Sequence, residues 1–238
     1  MKYPSLSAYN YVSNNPMFFV DPDGKYIKIH YKDENGNDKY LLWNPGMKPP
    51  NNNKVLNDVM TSLETIMKYD KSKTVQQISE HPQIVVINAS YDFKKTKTTY
   101  KEDEKNISKV NVFYNPHLAL ENFDEENGGH SPSTALFHEL VHSLRDIKTN
   151  TYSKVQDFKH DNNKDGSEPD YDTPEEKRVI TKFENAYLKN YNKSHKDKIQ
   201  TLRWNHNKGN TIRVKAPNSI PPKPKQLQMV IIKKKPKS

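Results

Sequence analysis

The chain contains 238 residues with a formal net charge of +9, and only 32% of them are hydrophobic, so the composition allows one modest core with less regular ends. The absence of cysteine excludes disulfides and any metal site built on thiolates, and no apolar run approaches the ~18 residues of a membrane helix. Because the lysines are mixed with acidic residues through much of the chain, the charge indicates a soluble lysine-rich surface, and nucleic acid is not an expected partner.

The first 24 residues contain turn formers and a short apolar run instead of a helical period. Asn15-Pro16 and Asp21-Pro22-Asp23-Gly24 flank the run 17–20, and both sequences are typical of turns. No charged segment followed by an apolar one occurs here, so we expect no signal peptide in this chain.

The same segment resembles the end of the RHS repeat-associated core, where a Tyr-x-Tyr-Val-x-Asn-Asn-Pro stretch runs into Asp-Pro-x-Gly. The matching residues are Tyr9, Tyr11, Val12, Asn14, Asn15, Pro16, Asp21, Pro22 and Gly24. In that family the motif joins a secreted, shell-forming repeat protein to a variable C-terminal toxin. The resemblance implies that 1–24 is the tail of an RHS core and that a toxin domain follows. It also implies delivery into a target cell by a bacterial export system, with the RHS shell and a cognate immunity protein as partners.

Residues 26–114 show patterns of a small sheet and two helices. Apolar and polar residues alternate over 26–31, Asn35-Gly36 follows, and 40–43 is again strand-like, which together predict a β-hairpin. Apolar residues at spacings of three and four predict an amphipathic helix over 54–69. We also expect a short helix near 74–80, strands over 84–89 and 109–114, and a charged loop or hairpin tip over 94–106.

The second half of the chain contains two longer predicted helices. Ser131-Pro132 is an N-cap followed by proline at the first helical position, so a helix should run from 132 to about 148. Thr173-Pro174 opens the next helix, which should reach about Tyr191, and the polar stretch 150–172 predicts a loop between them. We expect 204–238 to be a basic, proline-rich extension with short strands over 211–214 and 227–232.

The first of these helices carries an HExxH motif, His138-Glu139-Leu140-Val141-His142. Side chains four positions apart lie on one face of a helix, about one turn apart, so both imidazoles can reach one metal ion. Glu139 would then lie beside a zinc-activated water and act as general base. The strand 109–114 precedes this helix and is the candidate edge strand for binding a substrate backbone.

A zinc peptidase site needs a third protein ligand. A third histidine placed as in HExxHxxGxxH is excluded, since Arg145 and Lys148 stand at the last two of those positions. A glutamate on the following helix is the other common solution, and Glu175 and Glu176 lie 33 and 34 residues beyond His142.

The helical period favours Glu176 over Glu175. The predicted apolar face consists of Val179, Ile180, Phe183, Ala186 and Tyr187. Glu176 lies near the middle of that face and Glu175 roughly 80° away. A buried carboxylate needs a partner, which zinc would supply. Glu175 remains the alternative ligand, and a capping box between Thr173 and Glu176 remains an alternative without metal.

The HExxH motif followed by Glu175-Glu176-x-x-Val179 and Glu184-Asn185 resembles the NleD-like zinc metallopeptidase effectors over residues 105–190. Those proteins show HELxH, a downstream Glu-Glu pair and a later Glu-Asn. The resemblance implies a zinc endopeptidase that cleaves a protein inside a target cell. Ser143 replaces the usual alanine and Leu188 stands where an arginine often follows, which leaves a transition-state arginine unassigned.

These observations predict an α+β, zincin-like domain over 25–203, with a small antiparallel or mixed sheet packed against the HExxH helix and the following ligand-bearing helix. We expect a gluzincin-like zinc metallopeptidase with His138, His142 and Glu176 as Zn²⁺ ligands and Glu139 as catalytic base. A basic nuclease or nucleic-acid-binding toxin and a non-catalytic binding module are the alternatives. The run Asp161–Asp172 is a candidate calcium loop, and no spacing assigns a role to His117, His130 or His160.

Overall fold

The structure, a computed structural model, describes residues 26–50, 52–99, 109–121, 129–150, 171, 173–197, 199–203 and 210–221. The RHS-like segment 1–24, the calcium-loop candidate, His160 and the strand expected over 227–232 lie outside the described residues. The fold is mixed α+β, with one five-stranded sheet, one two-stranded sheet and helices.

The predicted hairpin is confirmed as β1 (Ile27–Lys32) and β2 (Asp38–Trp43), which pair antiparallel. Asp33 closes the turn, since its Oδ1 accepts the backbone N–H groups of Asn35 and Asn37 at 2.9 Å each. Gly36 has φ = 80°, a conformation that glycine adopts without steric cost.

Three further strands complete the larger sheet in the order β2-β1-β3-β5-β4. β3 (Ile84–Ala89) and β5 (Lys109–Tyr114) confirm two predicted strands and pair parallel, while the short β4 (Lys97–Thr99) pairs antiparallel with β5. The expectation that 109–114 is the edge strand is therefore wrong, because β4 covers it. β4 lies where a loop was expected, since three residues are too few to show a strand period.

Three predicted helices are confirmed: α1 (Lys54–Tyr69), α2 (Thr74–Ser79) and α3 (Pro132–Thr149). Apolar residues of α1 and α3 join one side of the sheet in a single core, which includes Leu63, Val112 and Leu140. α3 contacts both β5 and β4. The HExxH helix therefore rests on the core at the edge of the sheet that β4 forms.

The predicted helix that begins at Thr173-Pro174 consists of three consecutive parts: α4 (Pro174–Arg178), a π-helical turn (Val179–Glu184) and α5 (Asn185–Ser194). Its start at Thr173-Pro174 is confirmed, but part of the predicted apolar face is wrong. Ala186 is exposed, while Glu184, Leu188 and Tyr191 are buried. A π turn contains one residue more than an α turn, so every position after it is displaced on the helix surface.

The two-stranded sheet joins β6 (Leu118–Leu120) to β7 (Thr211–Arg213) in antiparallel pairing. The chain after β7 reaches the start of α3, where the N–H of Ser133 donates to the carbonyl of Pro217 at 3.0 Å. The described part of the expected C-terminal extension thus packs on the domain. Among the described residues, no helix is both long and apolar enough to cross a membrane.

Candidate metal site

The start of α3 is fixed by local caps and by the chain after β7. Ser131 is the N-cap, its hydroxyl accepts the N–H of Thr134, and Pro132 occupies the first turn. This start brings His138 and His142 onto the buried side of the helix, where they are 6% and 0% exposed. The predicted helix and its histidine register are therefore present.

Three ligand atoms from two helices converge at one point. Nε2 of His138 lies 3.1 Å from Nε2 of His142, and Oε2 of Glu176 lies 3.0 Å from the first nitrogen and 3.4 Å from the second. All three side chains are buried, and the group could hold a metal ion. Ligands at the corners of a tetrahedron with bonds of about 2.0–2.1 Å lie about 3.3 Å apart, so these distances are close to those of one face of a tetrahedral metal site.

The other nitrogen of each imidazole contacts a carboxylate. Nδ1 of His138 lies 2.8 Å from Oε2 of Glu184, and Nδ1 of His142 lies 3.1 Å from Oε1 of Glu175. A carboxylate at Nδ1 fixes the tautomer in which Nε2 carries the lone pair for a metal ion. Both rings thus have the orientation and the partners of metal-binding histidines.

The structure distinguishes the two candidates for the third metal ligand, Glu175 and Glu176, by their positions. Glu176 lies at the two Nε2 atoms, whereas the fully buried Glu175 lies behind His142 and is held by two arginines. Arg178 donates from Nε and a terminal nitrogen at 2.7 and 2.6 Å, and Arg145 donates to Oε2. Thr173 also caps α4 by accepting the N–H of Glu176, so the capping contact and the proximity to the histidines coexist.

The electrostatics of the cluster follow from these contacts. Burial alone would lower the pKa of His138, but hydrogen bonds with Glu176 and Glu184 raise it to about 9. Burial opposes ionisation of Glu175, yet Arg178 and His142 bring its pKa down to about 2. The pKa of Glu176 is likewise held well below its usual range by the two histidines, despite burial. The two carboxylates at His138 thus favour its protonated form in the absence of a metal ion.

Glu139 is held by the edge strand β4. Its Oε2 accepts two hydrogen bonds from Thr98, one from the backbone N–H at 2.7 Å and one from the hydroxyl at 2.6 Å. Glu139 is 7% exposed, and its side chain lines the same cleft as His138.

A cleft of about 210 Å³ opens at this cluster. His138, Glu139, Glu184 and Arg203 line it, together with the apolar residues Leu118, Ala119 and Leu120 of β6. The cleft therefore reaches the side of α3 that carries the candidate general base.

Arg203 and Glu184 also belong to the site, although the sequence predicted a functional role for neither residue. The guanidinium of Arg203 donates to Oε2 of Glu184 at 3.3 Å, and its backbone N–H and carbonyl are both bonded to the side chain of Asn185. The Glu184-Asn185 pair was the only sequence signal. Leu188 is fully buried in the core, and Tyr187 packs against Phe137 there, with ring centroids 4.7 Å apart.

His130 and His117, to which the sequence assigned no role, contact residues other than the three candidate metal ligands. His130 Nε2 lies 2.7 Å from the carbonyl of Thr201, and its Nδ1 lies 3.6 Å from Glu184. His117 Nε2 lies 2.9 Å from Asp58 of α1. His130 thus borders the metal cluster behind Glu184, and His117 belongs to a separate contact.

No protein-family model matches the sequence, and neither a curated protein nor a solved structure matches the chain.

Proposed function

We propose that the chain is a zinc-dependent endopeptidase with a zincin-like, gluzincin-type site. The observation that carries this proposal is the convergence of His138 Nε2, His142 Nε2 and Glu176 Oε2 within 3.0–3.4 Å of one another. Glu139, next in sequence to the first of these ligands, borders the cleft.

The donor set supports zinc as the ion. Two imidazoles and one carboxylate are the ligands of many catalytic zinc sites, which keep a fourth position for water or substrate. An ion held by His138, His142 and Glu176 would supply Lewis-acid activation of the attacking water and of the substrate carbonyl. Glu175 and Glu184 support the set by fixing the two histidine rings.

The chain's own residues supply proton transfer and substrate alignment. Glu139 takes a proton from the attacking water and returns it to the leaving amine, so the peptide bond breaks with no net proton change at the carboxylate. The edge of β4 away from β5, beyond which the structure describes no further strand, can receive an extended peptide by strand addition, and Leu118, Ala119 and Leu120 of β6 give the cleft an apolar lining.

The biological setting follows from the two sequence resemblances. An RHS-core tail over 1–24 followed by an NleD-like peptidase supports a toxin that is exported by a bacterium and cleaves a protein inside a target cell. A cognate immunity protein in the producing cell belongs to the same proposal.

Metal analysis combined with peptide cleavage tests the peptidase. Purified wild-type protein and Glu139→Gln are analysed for zinc, and both are incubated with a library of peptides derived from a cell proteome. Glu64→Gln, at an exposed glutamate of α1, is the matched control. We expect one zinc per chain in all three proteins, with new peptide termini from the wild type and the control only.

Two results would replace the proposal by an alternative. Degradation of DNA or RNA that is insensitive to Glu139→Gln would indicate a nuclease toxin. Neither zinc binding nor cleavage in the wild type would indicate a non-catalytic binding module.

A further inference from the structure

Thr98 makes two short hydrogen bonds with Glu139, whose side chain lines the cleft. It lies in the middle of β4, is buried, and is 41 positions from Glu139 in sequence. Its two donors both reach Oε2, at 2.6 Å from the hydroxyl and 2.7 Å from the backbone nitrogen. Hydrogen bonds to an ionised group are shorter and stronger than neutral ones, so this pair is a strong restraint on the carboxylate.

The two bonds restrain the carboxylate in different directions. The hydroxyl comes from the inner face of the sheet, on which α3 packs, while the N–H lies in the plane of the sheet. Because Thr98 pairs with Val112 but gives its N–H to Glu139, that N–H points away from β5, toward the side of β4 on which the structure describes no further strand. Two donors on Oε2 restrain the orientation of the carboxylate, and neither of these bonds engages Oε1.

We propose that Thr98 is the positioning residue of the general base: it holds Oε2 of Glu139 so that Oε1 takes the proton from the attacking water. This inference rests on the proposed peptidase function. The proton moves from water to Oε1 and later to the leaving amine, and Thr98 retains its own proton throughout. An aligned base raises the rate of the chemical step, whereas substrate affinity depends on other parts of the cleft.

The same contact restricts how a peptide can add to β4. The N–H that an edge strand normally offers to an added strand is already engaged by Glu139 at Thr98. A peptide on this edge therefore finds the carbonyl of Thr98 as its backbone partner at that position. Substrate alignment and base alignment then depend on the same residue of β4.

Kinetics of matched variants separate positioning from a structural role. Thr98→Val removes the hydroxyl and keeps the shape and the backbone N–H, Thr98→Ser keeps the hydroxyl, and Thr61→Val, at an exposed threonine of α1, is the control. Using one peptide that the wild type cleaves, we expect kcat to fall about tenfold or more in Thr98→Val with KM within about twofold. Thr98→Ser and Thr61→Val should stay close to wild type, and all four proteins should bind one zinc.

A second readout uses metal-free protein and needs no substrate. Thermal unfolding of Thr98→Val, Glu139→Ala and the double variant forms a double-mutant cycle. We expect the Tm loss of the double variant to be smaller than the sum of the single losses, because both changes remove the same contact.

Wild-type kcat in Thr98→Val, an equal loss in Thr98→Ser, or additive Tm losses would each overturn the assignment of Thr98. A wild-type protein that binds zinc but cleaves no peptide would contradict the peptidase instead. In that case the Tm values of the double-mutant cycle alone decide whether Thr98 holds Glu139.

Discussion

Glu176 and Glu184 lie eight positions apart in sequence, yet their carboxylates reach opposite nitrogens of the same imidazole ring, that of His138. In a regular α-helix, residues eight apart point about 80° away from each other, whereas residues seven apart nearly coincide. The π turn Val179–Glu184 lies between them and adds one residue to the helix surface. The π turn therefore aligns the two glutamates with one histidine.

Deleting Lys182, an exposed residue of the π turn, should convert this segment into a regular α-helix. Glu176 and the present Glu184 would then be seven positions apart and remain on one face, so the protein should still bind one zinc per chain. Inserting one alanine after Lys182 should instead turn Glu184 away from His138. Chelator competition should show weaker zinc binding by the insertion variant than by the deletion variant, with circular dichroism as a check on folding, and equal dissociation constants would refute the role of the π turn.

Replacing Glu184 by glutamine should weaken zinc binding by about 10–100-fold, the usual effect of losing a charged partner of a metal-binding histidine. The substitution retains an oxygen near Nδ1 of His138 but removes the charge, which also leaves Arg203 without that ion pair. Competition with a chelator measures the affinity, with Glu64→Gln as control. An unchanged dissociation constant would mean that Glu184 has only a packing role.

Glu175→Gln and Glu176→Gln should have different effects on zinc affinity and on the stability of the metal-free protein. Glu176→Gln removes a ligand and should cost more zinc affinity than the about 10–100-fold expected for Glu175→Gln. Glu175→Gln should in addition lower the stability of the metal-free protein by about 1–3 kcal/mol, because Arg145, Arg178 and His142 lose a buried charged acceptor. Chelator competition and denaturant unfolding measure the two quantities. The reverse order of affinities would make Glu175 the ligand.

Zinc affinity should rise with pH up to about pH 9. The pKa of His138 in the metal-free protein is raised to about 9, so below that pH an entering ion must displace a proton. One displaced proton makes the affinity increase by about tenfold per pH unit, and the increase ends where His138 is already neutral. Calorimetry near pH 7.5 in buffers of different ionisation enthalpy should show the release of about one proton from His138. No proton release would show that His138 is neutral before the metal binds.

The parts of the site that follow from local signals could be predicted from the sequence. Ser131 and Pro132 fix where α3 begins, and the helical period then brings His138 and His142 to one face. The preference for Glu176 also came from periodicity: Val179 and Ile180 of the predicted face are fully buried, whereas Ala186, which follows the π turn, is exposed.

Contacts between segments far apart in sequence could not be predicted in this way. Thr98 lies in a three-residue strand with no apolar alternation, and it meets Glu139 only when the sheet edge packs against α3. Glu184 was assigned to no face because nothing in a 3.6-residue period indicates a π turn. Arg203 follows α5 in an irregular segment, and the side chain of Asn185 fixes its backbone across 18 positions.

The central claim is tested most directly by titrating zinc into metal-free wild-type protein and into the double variant His138→Ala/His142→Ala, with binding followed by calorimetry. The two imidazoles and Glu176 predict one tight site per chain in the wild type and no tight site in the double variant. A wild type that binds no zinc, or a double variant that binds it equally well, would contradict the metal site and the peptidase built on it.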